Sequence, residues 1–433
     1  MERALCASLV ARAAARGTQG AAAEGEDRVC VYGWVAQVRR LGGLTFLVVR
    51  DRSGTAQVVL DREDLAAGPI PPREAIVRVS GWLRPEPRAP GGVELRAQHL
   101  EVLVEPAQPP SLPLYRDHLD ASLEVVLAQR ALSLRHPRER AAFAVQAALV
   151  RGLRRYLDAC GFTEVHTPKL TGTATEGGSE VFAVDYFGRR AYLAQSPQLY
   201  KQLLVGAGFE RVYEVGAAYR AEPHDTARHL NEYISLDVES ELFGGGGTGP
   251  LLELERGLLR AMFTQVETDA GDALDRFGVR ALPDPAAAVA VTLAEALEGI
   301  GRTHLDPEAE RLLGEWLGPL VFVTDWPVAQ RPFYAMERAD APGLTHSFDL
   351  LLHGLEVTTG GQREHRPGPL RAMMAQRGLN VGAFAAYLAA FDTGMPPHGG
   401  FAIGLERLTA QLLGIRNVRR ASLFPRDRSR LEP

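Results

Sequence analysis

Residues 105–114, EPAQPPSLPL, place four prolines within ten positions. Proline fixes its own φ and donates no backbone hydrogen bond, so neither a helix nor an inner strand runs through such a stretch. The 433-residue chain is therefore expected to fold as two bodies, 1–104 and 121–433, joined by a semi-rigid linker over 105–120. At about 150 residues per domain the length has room for both. Charge divides at the same place. The whole chain carries 48 basic and 53 acidic residues, net −5, which announces no polyanionic partner. Residues 1–104 nevertheless hold 14 arginines against 12 acids, so the N-terminal body is the basic one.

Between Val29 and Val104 the pattern is a succession of short β-type runs: VCVYGWVAQV, LTFLVVR, TAQVVL, AIVRVSGWL and VELRAQHLEVLV, separated by Gly-, Asp- and Pro-rich turns. Five strands in so short a segment predict a small Greek-key barrel of the oligonucleotide-binding (OB) kind, with bases lying on exposed strand faces. Phe46 in the second run and Gln57 in the third are candidates for a stacking platform and a base-edge contact. A stacked base is worth about 1–3 kcal/mol, so a single Phe matters. The pattern alone favours the other reading, that Phe46 fills the barrel core. The opening MERALCASLVARAAARG resembles an organellar leader in its spaced arginines, but its short apolar run and Glu2 predict an N-terminal helix.

The three cysteines, Cys6, Cys30 and Cys160, have no C-x-x-C spacing, which fits neither a disulfide framework nor a structural zinc site; a reducing, cytoplasmic setting is expected. No run of 18 apolar residues predicts a membrane span.

After the linker, ERAAFAVQAALVRGLRRYLDACG repeats apolar residues at helical spacing and ends on Gly161, before the strand-like FTEVHTPKL. RRAYLAQ, RVYEVGAAYR and NEYISLDVESELF predict strands, and SPQLYKQLLVGAG a helix. Further strands are expected at LVFVTDW, THSFDLLLHG and LEVTTGG, and FAIGLERLTAQLLG predicts a strand running into a helix. Residues 280–318, rich in Ala, Pro and Glu, predict a peripheral helical insertion. Without regular βαβ alternation, the second body is an antiparallel sheet flanked by helices, and the chain is α+β.

Three stretches carry chemistry. In Tyr219-Arg220-Ala221-Glu222, a loop, and Arg228-His229-Leu230-Asn231-Glu232, arginines at a hairpin tip are either a clamp for a polyphosphate, which guanidinium binds bidentately, or an ordinary solvated turn. Gly400 to Arg407, GFAIGLER, is a glycine-rich strand ending at Arg407, and it lacks the G-K-[ST] of a P-loop. Glu356 and Thr359, in EVTTGGQR after Asp349, offer a carboxylate and a hydroxyl of the kind magnesium shares with substrate phosphates. Only two of the 48 basic residues are lysines, Lys169 and Lys201. A compact ammonium and a planar fork are different tools, so a lysine kept in an arginine-rich chain either marks a place where the fork does not fit, a reading that favours Lys201 over Lys169, or stands there by chance.

Taken in order, these stretches resemble the signature motifs of class II aminoacyl-tRNA synthetases. Cys160 to Pro168 looks like motif 1, Tyr219 to Glu222 with Arg228 to Glu239 like motif 2, and Gly400 to Arg407 like motif 3, with Ala402 where the family usually has glycine. Within the class, Thr173 to Gly178, Gln195 to Lys201, Gln362 to His365 and Gly394 to Gly400 are most similar to aspartyl-tRNA synthetases of the compact archaeal form. The resemblance implies an OB-fold anticodon-binding domain, a class II catalytic domain and a homodimer built through motif 1. It also implies that the α-carboxylate of L-aspartate attacks the α-phosphate of ATP, with Mg2+ as cofactor, and that the aspartyl group then passes to tRNA(Asp).

The same resemblance assigns roles to residues. Arg220, Glu356 and Arg407 are catalytic, and Arg220, Glu222, Arg228, His229, Leu230, Glu356, Gly404, Leu405, Glu406 and Arg407 form the ATP site. Glu356 and Thr359 hold the metal. Aspartate meets Glu176, Gln198, Lys201, Arg220, Asp237, Thr359 and Arg363, with Lys201 and Arg363 facing its β-carboxylate and Glu176 and Asp237 its ammonium. Charged hydrogen bonds are worth about 1.5–3 kcal/mol each, so asparagine and lysine are expected to be rejected. Phe46, Gln57, Ala36 and Pro90 are the anticodon candidates. Small Ala36 and Pro90, in the loop RPEPRAPGG, imply relaxed selection that accepts tRNA(Asn) as well, against the alternatives of a strict enzyme, an asparaginyl- or lysyl-tRNA synthetase, or a tRNA-binding paralogue without catalysis.

Overall fold

The structure, a computed structural model, describes residues 2–17, 28–61, 69–173, 180–223 and 226–432. The chain divides into two compact units, 1–136 and 137–433. The first unit closes a barrel from β1 (Arg28–Leu41), β2 (Leu44–Arg50), β3 (Thr55–Leu60), β4 (Ile76–Pro85) and β5 (Val93–Val104), in the order β1-β2-β3-β5-β4. Alternate residues of each strand point inward, as a period of two requires. Val29, Val31, Leu47, Val49, Val58, Val77, Val79 and Leu95 fill the interior, and Leu9 of the helix Ser8–Gly17 joins them.

Since Leu47 and Val49 take the interior, Phe46 and Val48 point outward, and Phe46 is half-buried rather than a core residue. This reverses the reading favoured by pattern alone. Residues 105–136 belong to this unit, so the compact boundary lies beyond the expected linker; Arg135 pairs with buried Glu74 at 3.1 Å and lies over Trp34, inside the first unit. Cys6 and Cys30 are buried free thiols. No helix among the described residues is long and apolar enough to cross a membrane.

The second unit is built on an eight-stranded sheet. Its strands are β6 (Thr163–Glu164), β10 (Arg211–Tyr219), β11 (Glu232–Glu241), β12 (Val289–Thr292), β13 (Leu320–Thr324), β14 (Ser347–Leu352), β15 (Leu355–Arg363) and β16 (His398–Gly404). Their order is β12-β13-β14-β15-β16-β11-β10-β6, antiparallel through the middle and parallel at the two ends. A separate sheet joins β7 (Leu170–Thr171), β8 (Ala183–Tyr186) and β9 (Arg189–Leu193). One face of the large sheet is apolar, with Leu236, Val238, Phe348, Leu350, Phe401 and Ile403 packed into one core with the long helices Pro137–Ala159 and Gly249–Phe277. Gly161, at φ +77°, ends the first of these helices in the left-handed conformation glycine tolerates best.

Two sequence expectations need correction. Within FTEVHTPKL the strand stops after Thr163–Glu164 and resumes only at Leu170, in the small separate sheet; between them Thr167 turns its backbone N–H and its hydroxyl to the Glu214 carboxylate, at 3.1 and 2.7 Å. The segment 280–318 is not purely helical, nor is it peripheral. Its strand β12 extends the sheet beside β13, and its helices Leu293–Gly299 and Pro307–Leu317 bury Leu293, Ala296 and Leu313 against Val321, Val323 and Leu351.

Candidate active site

On the face of the sheet opposite the helices, period-two alternation lays out the chemistry. Strand β11 carries Tyr233, Ser235, Asp237 and Glu239 at every second position, while Leu236 and Val238 enter the core. Strand β16 sets Gly400, Ala402 and Gly404 beside them, pairing Glu239 with Gly400 and Asp237 with Ala402. Strand β15 completes the floor, with Thr359 opposite Ala402 and Gly361 opposite Gly400. In a regular strand Glu356 and Thr359 would face opposite ways. The β14–β15 register slips between Leu350 and Leu351, leaving Val357 as the extra residue, and this bulge turns both toward the cleft. Thr359 Oγ1 accordingly donates to Glu356 Oε1 at 3.2 Å.

The outer part of this face is a cleft. The β10–β11 loop supplies Arg220, Glu222, Arg228, His229 and Leu230, the two glycine-rich strands supply Glu356, Thr359, Ala402 and Gly404, and the helix Leu405–Leu412 supplies Glu406 and Arg407. Each guanidinium lies near an acid. Arg220 Nη1 is 3.6 Å from Glu222, Arg228 Nη1 is 2.9 Å from Glu310, and Arg407 Nη1 is 3.7 Å from Glu356. Burial, reinforced by the Asp349 charge, pushes the Glu356 carboxyl up to about 7, even though its side chain keeps 39% of its surface open at the cleft. Burial also raises Glu406 to about 7; both its oxygens accept from Ile234 N–H. Partly exposed ion pairs hold together weakly, so these acids give way readily to a phosphate. The cleft therefore suits a polyanion.

The inner part is closed. Lys201 and Glu239 are fully buried, Asp237 is 2% exposed and Arg363 is 7% exposed. Lys201 Nζ lies 2.9 Å from Asp237 and 3.3 Å from Glu239. Arg363 donates to Glu239 Oε1 and Oε2 at 3.0 and 3.3 Å and to the Gly400 carbonyl at 3.0 Å. Gly400 makes this reach possible, since a Cβ there would stand 2.5 Å from Glu239 Oε2 and 2.0 Å from the Val238 carbonyl. Burial by itself would raise the Glu239 carboxyl, but the Arg363 and Lys201 charges hold it down to about 2. Gln198 Nε2 approaches the same carboxylate at 3.4 Å. His398 gives its Nδ1 proton to the Pro396 carbonyl, and burial lowers the pKa of its ring.

Residues 122–428 match the family of class II tRNA synthetases (D, K and N), and residues 29–103 match the OB-fold nucleic acid binding domain. The chain belongs to the class II aminoacyl-tRNA synthetases. An aspartate–tRNA(Asp/Asn) ligase of Thermus thermophilus is 47% identical over 94% of this chain and 97% of its own length. An aspartate–tRNA(Asp) ligase of Picrophilus torridus is 41% identical over the same shares. The crystal structure of asparaginyl-tRNA synthetase from Pyrococcus horikoshii complexed with asparaginyl-adenylate is 30% identical, with a TM-score of 0.85 over 94% of this chain and 96% of that one.

Within this synthetase the cleft brings together Arg220, Glu222, Arg228, His229, Leu230, Glu356, Thr359, Gly404, Glu406 and Arg407 as the motifs imply. Leu405 is the exception, because its side chain packs into the core under the sheet. Gln198, Lys201, Asp237 and Arg363 form the inner cluster, and Glu176 lies outside the described residues. Asp237 and Glu239 neutralise Lys201 and Arg363 in the resting cluster, since bare charges so deeply buried would cost several kcal/mol each.

Sequence reasoning missed Glu239 and Glu310. Glu239 was legible as the next step of the alternation 233, 235, 237. Glu310 has no such signal, because it arrives from the helix Pro307–Leu317. In the first unit, Phe46 and Gln57 share an outward face, where Gln57 donates to Glu94 at 3.2 Å. Ala36 sits in a bulge of β1 and lines a groove with Arg73 and residues 106–115, whereas Pro90 begins an exposed turn between β4 and β5.

Proposed function

We propose that this class II synthetase is an aspartate–tRNA ligase that forms aspartyl-adenylate from L-aspartate and ATP and charges tRNA(Asp), and tRNA(Asn) as well. The observation that carries the amino-acid choice is the buried quartet Lys201, Arg363, Asp237 and Glu239, whose formal charges sum to zero. Aspartate enters by exchanging partners. Its ammonium takes Asp237, and its β-carboxylate takes Lys201 and Arg363, so that every buried charge stays paired. Asparagine would occupy Asp237 equally well but offer Lys201 only a neutral amide, leaving a buried cation short of a partner. Lysine would bring a third cation.

Catalysis is positioning and charge stabilisation. Arg220, 44% exposed at the cleft, is placed to bridge the attacking carboxylate and the α-phosphate as negative charge builds up. Arg228 and Arg407 take the outer phosphates, with Glu310 and Glu356 as their resting partners. Glu356 and Thr359 fit a hard cation as a carboxylate and hydroxyl in contact. Among the described residues no three His, Cys, Asp or Glu side chains could hold a metal by themselves, so magnesium would complete its shell with phosphate and water oxygens. Bound there, magnesium supplies positive charge to the phosphate oxygens.

Selection of tRNA is read by the barrel, and the small side chains Ala36 and Pro90 support the relaxed form. The Thermus relative at 47% identity has a name covering both tRNAs, while at 41% both kinds of name occur. The subunit is proposed to pair with a second copy through motif 1, in a cytoplasmic setting. Charging of tRNA(Asp) and tRNA(Asn) transcripts with labelled aspartate, ATP and Mg2+ tests the reading. Similar efficiency on both is expected; charging of tRNA(Asp) alone makes the enzyme strict, and charging by asparagine instead overturns the assignment of the quartet.

A further inference from the structure

Behind the nucleotide cleft lies a second cavity of about 280 Å³, and the two share Arg228, Arg407 and Val418 in their walls. Its remaining polar lining is Arg311, His353, Gln411 and Arg416, with no Asp or Glu among the lining residues. Four arginines thus line a space that has no carboxylate in its wall. The known acid partners of three of them come from residues that do not line it: Glu310 for Arg228, Glu356 for Arg407 and Glu315 for Arg311. Arg416 is exposed and has no ion pair among the described residues.

The cavity is built by close contacts rather than left over between loops. Residues His353 and Gly354 form the tight β14–β15 turn with φ of +48° and +71°, the twist a two-residue hairpin requires. A Cβ on Gly354 would lie 2.7 Å from Arg311 Cα, and one on Gly314 would lie 2.8 Å from Gly354 N. Only this glycine-to-glycine seat brings the helix Pro307–Leu317 near enough to place Arg311 on one side of the cavity and Glu310 on Arg228. His353, on the turn, adds an imidazole to the wall beside the arginines, and burial lowers its pKa.

We propose that this cavity is a binding site for condensed inorganic phosphate, and that it receives the pyrophosphate released when the adenylate forms. The inference deepens the proposed function and rests on its ATP-dependent step. A pyrophosphate held between Arg228 and Arg407 is already at the shared wall. Moving one step further, it meets Arg311 and Arg416, which no acid in the cavity opposes, and it leaves without passing the amino-acid cluster. Guanidinium suits this cargo because its fork matches two phosphate oxygens at once.

Titration of sodium pyrophosphate into the full-length protein, with no amino acid present, tests the site apart from substrate identity. Arg416→Ala and Arg311→Ala are each expected to weaken pyrophosphate binding about three- to tenfold, as loss of one charge-assisted contact predicts. Arg416→Lys should lose less than Arg416→Ala. In ATP resynthesis from adenylate the KM for pyrophosphate should rise by the same factor, while the KM for ATP in the forward direction stays put. Unchanged pyrophosphate affinity in both alanine variants would overturn the proposal. So would an equal loss for ATP and pyrophosphate, which would mean a general field effect, or a loss confined to tRNA binding, which would make the cavity part of a nucleic-acid surface. An enzyme that activates an amino acid other than aspartate would still bind pyrophosphate here, so the two readings fail separately.

Discussion

The nucleotide cleft and the amino-acid cluster lie on the same sheet face, one strand position apart, yet they manage charge in opposite ways. In the cleft every arginine is loosely matched to an acid at its open edge: Arg220 keeps 44% of its side chain exposed and Arg407 29%. In the cluster, Lys201 and Glu239 keep none. Loose surface pairs cost little to exchange, so they serve a ligand that comes and goes with each turnover. Buried pairs cost several kcal/mol to break and repay that only if the incoming group restores every partner, so they serve discrimination. Ala402 stands where the two meet, between Asp237 and Thr359.

The sharpest way to break the comparison is Lys201→Met. It leaves Asp237 and Glu239 sharing one cation in a closed interior, with an expected loss of about 3–5 kcal/mol in stability and near-total loss of aspartate-dependent ATP–pyrophosphate exchange. Calorimetry and exchange should move together. Arg407→Ala is the contrasting variant. Exchange should fall about a hundredfold or more, since a cation on the transferring phosphates is lost, while unfolding free energy changes by no more than about 1 kcal/mol. Equal destabilisation by both substitutions would dissolve the distinction between cleft and cluster.

A third treatment of charge lies in the helix Gly249–Phe277, where wholly buried Glu255 has its carboxyl pushed up to about 8 by burial. The unfolded chain releases that proton near the ordinary glutamate value of about 4.3, whereas the folded chain keeps it. Between those two values the native state binds more protons, so stability should fall as pH rises from about 4.5 through 8. Glu255→Gln should remove much of that slope, and at pH 8.5 the variant should exceed the parent by about 2 kcal/mol. Denaturant titrations at pH 6 and 8.5 measure it. A parallel pair of pH curves would mean that Glu255 ionises in the fold. Glu406, raised to about 7, contributes a remaining slope of the same sign.

Much of this arrangement was legible in the sequence because short-range rules produce it. Alternation laid out the barrel strands and β11, and helical spacing with Gly161 placed the helix Pro137–Ala159. What escaped depends on the register between strands far apart in the chain. That Gly400 opens a path from Arg363 to Glu239 follows only once β15, β16 and β11 are aligned, and the bulge that turns Glu356 and Thr359 to one side leaves no mark in EVTT. Phe46 was misjudged for a related reason: a single aromatic in a β-run fits either face until its neighbours Leu47 and Val49 are known to be inside.

The segment 280–318 carries the next prediction, smaller because it acts through a neighbour. Glu310 holds Arg228 at 2.9 Å, and burial raises its pKa against the lowering pull of that arginine. Glu310→Gln keeps the shape and removes the charge, so Arg228 loses its resting partner. The KM for ATP should change about three- to tenfold with kcat nearly constant, because positioning rather than chemistry is disturbed. A fall in kcat with KM unchanged would place Glu310 among the groups that act only in the transition state.

The smallest effect is expected in the barrel, where recognition rests on single side chains at an open surface. Ala36, set out of register by the β1 bulge, borders a groove floored by the proline-rich segment, and Pro90 is exposed at the β4–β5 turn. Neither offers an aromatic ring or a charge to a base. Ala36→Trp adds a stacking surface and Pro90→Lys a donor, and each should change the ratio of kcat/KM for tRNA(Asp) over tRNA(Asn) by roughly fivefold, about 1 kcal/mol, at the low end of what one stacked base contributes. Aspartate activation without tRNA should be identical in the parent and both variants, because the substitutions lie in the unit that does not hold the catalytic sheet. A ratio that stays fixed while total tRNA affinity rises would mean that the two positions meet the backbone rather than a base, and the search for the determinant would move to the face that carries Phe46 and Gln57.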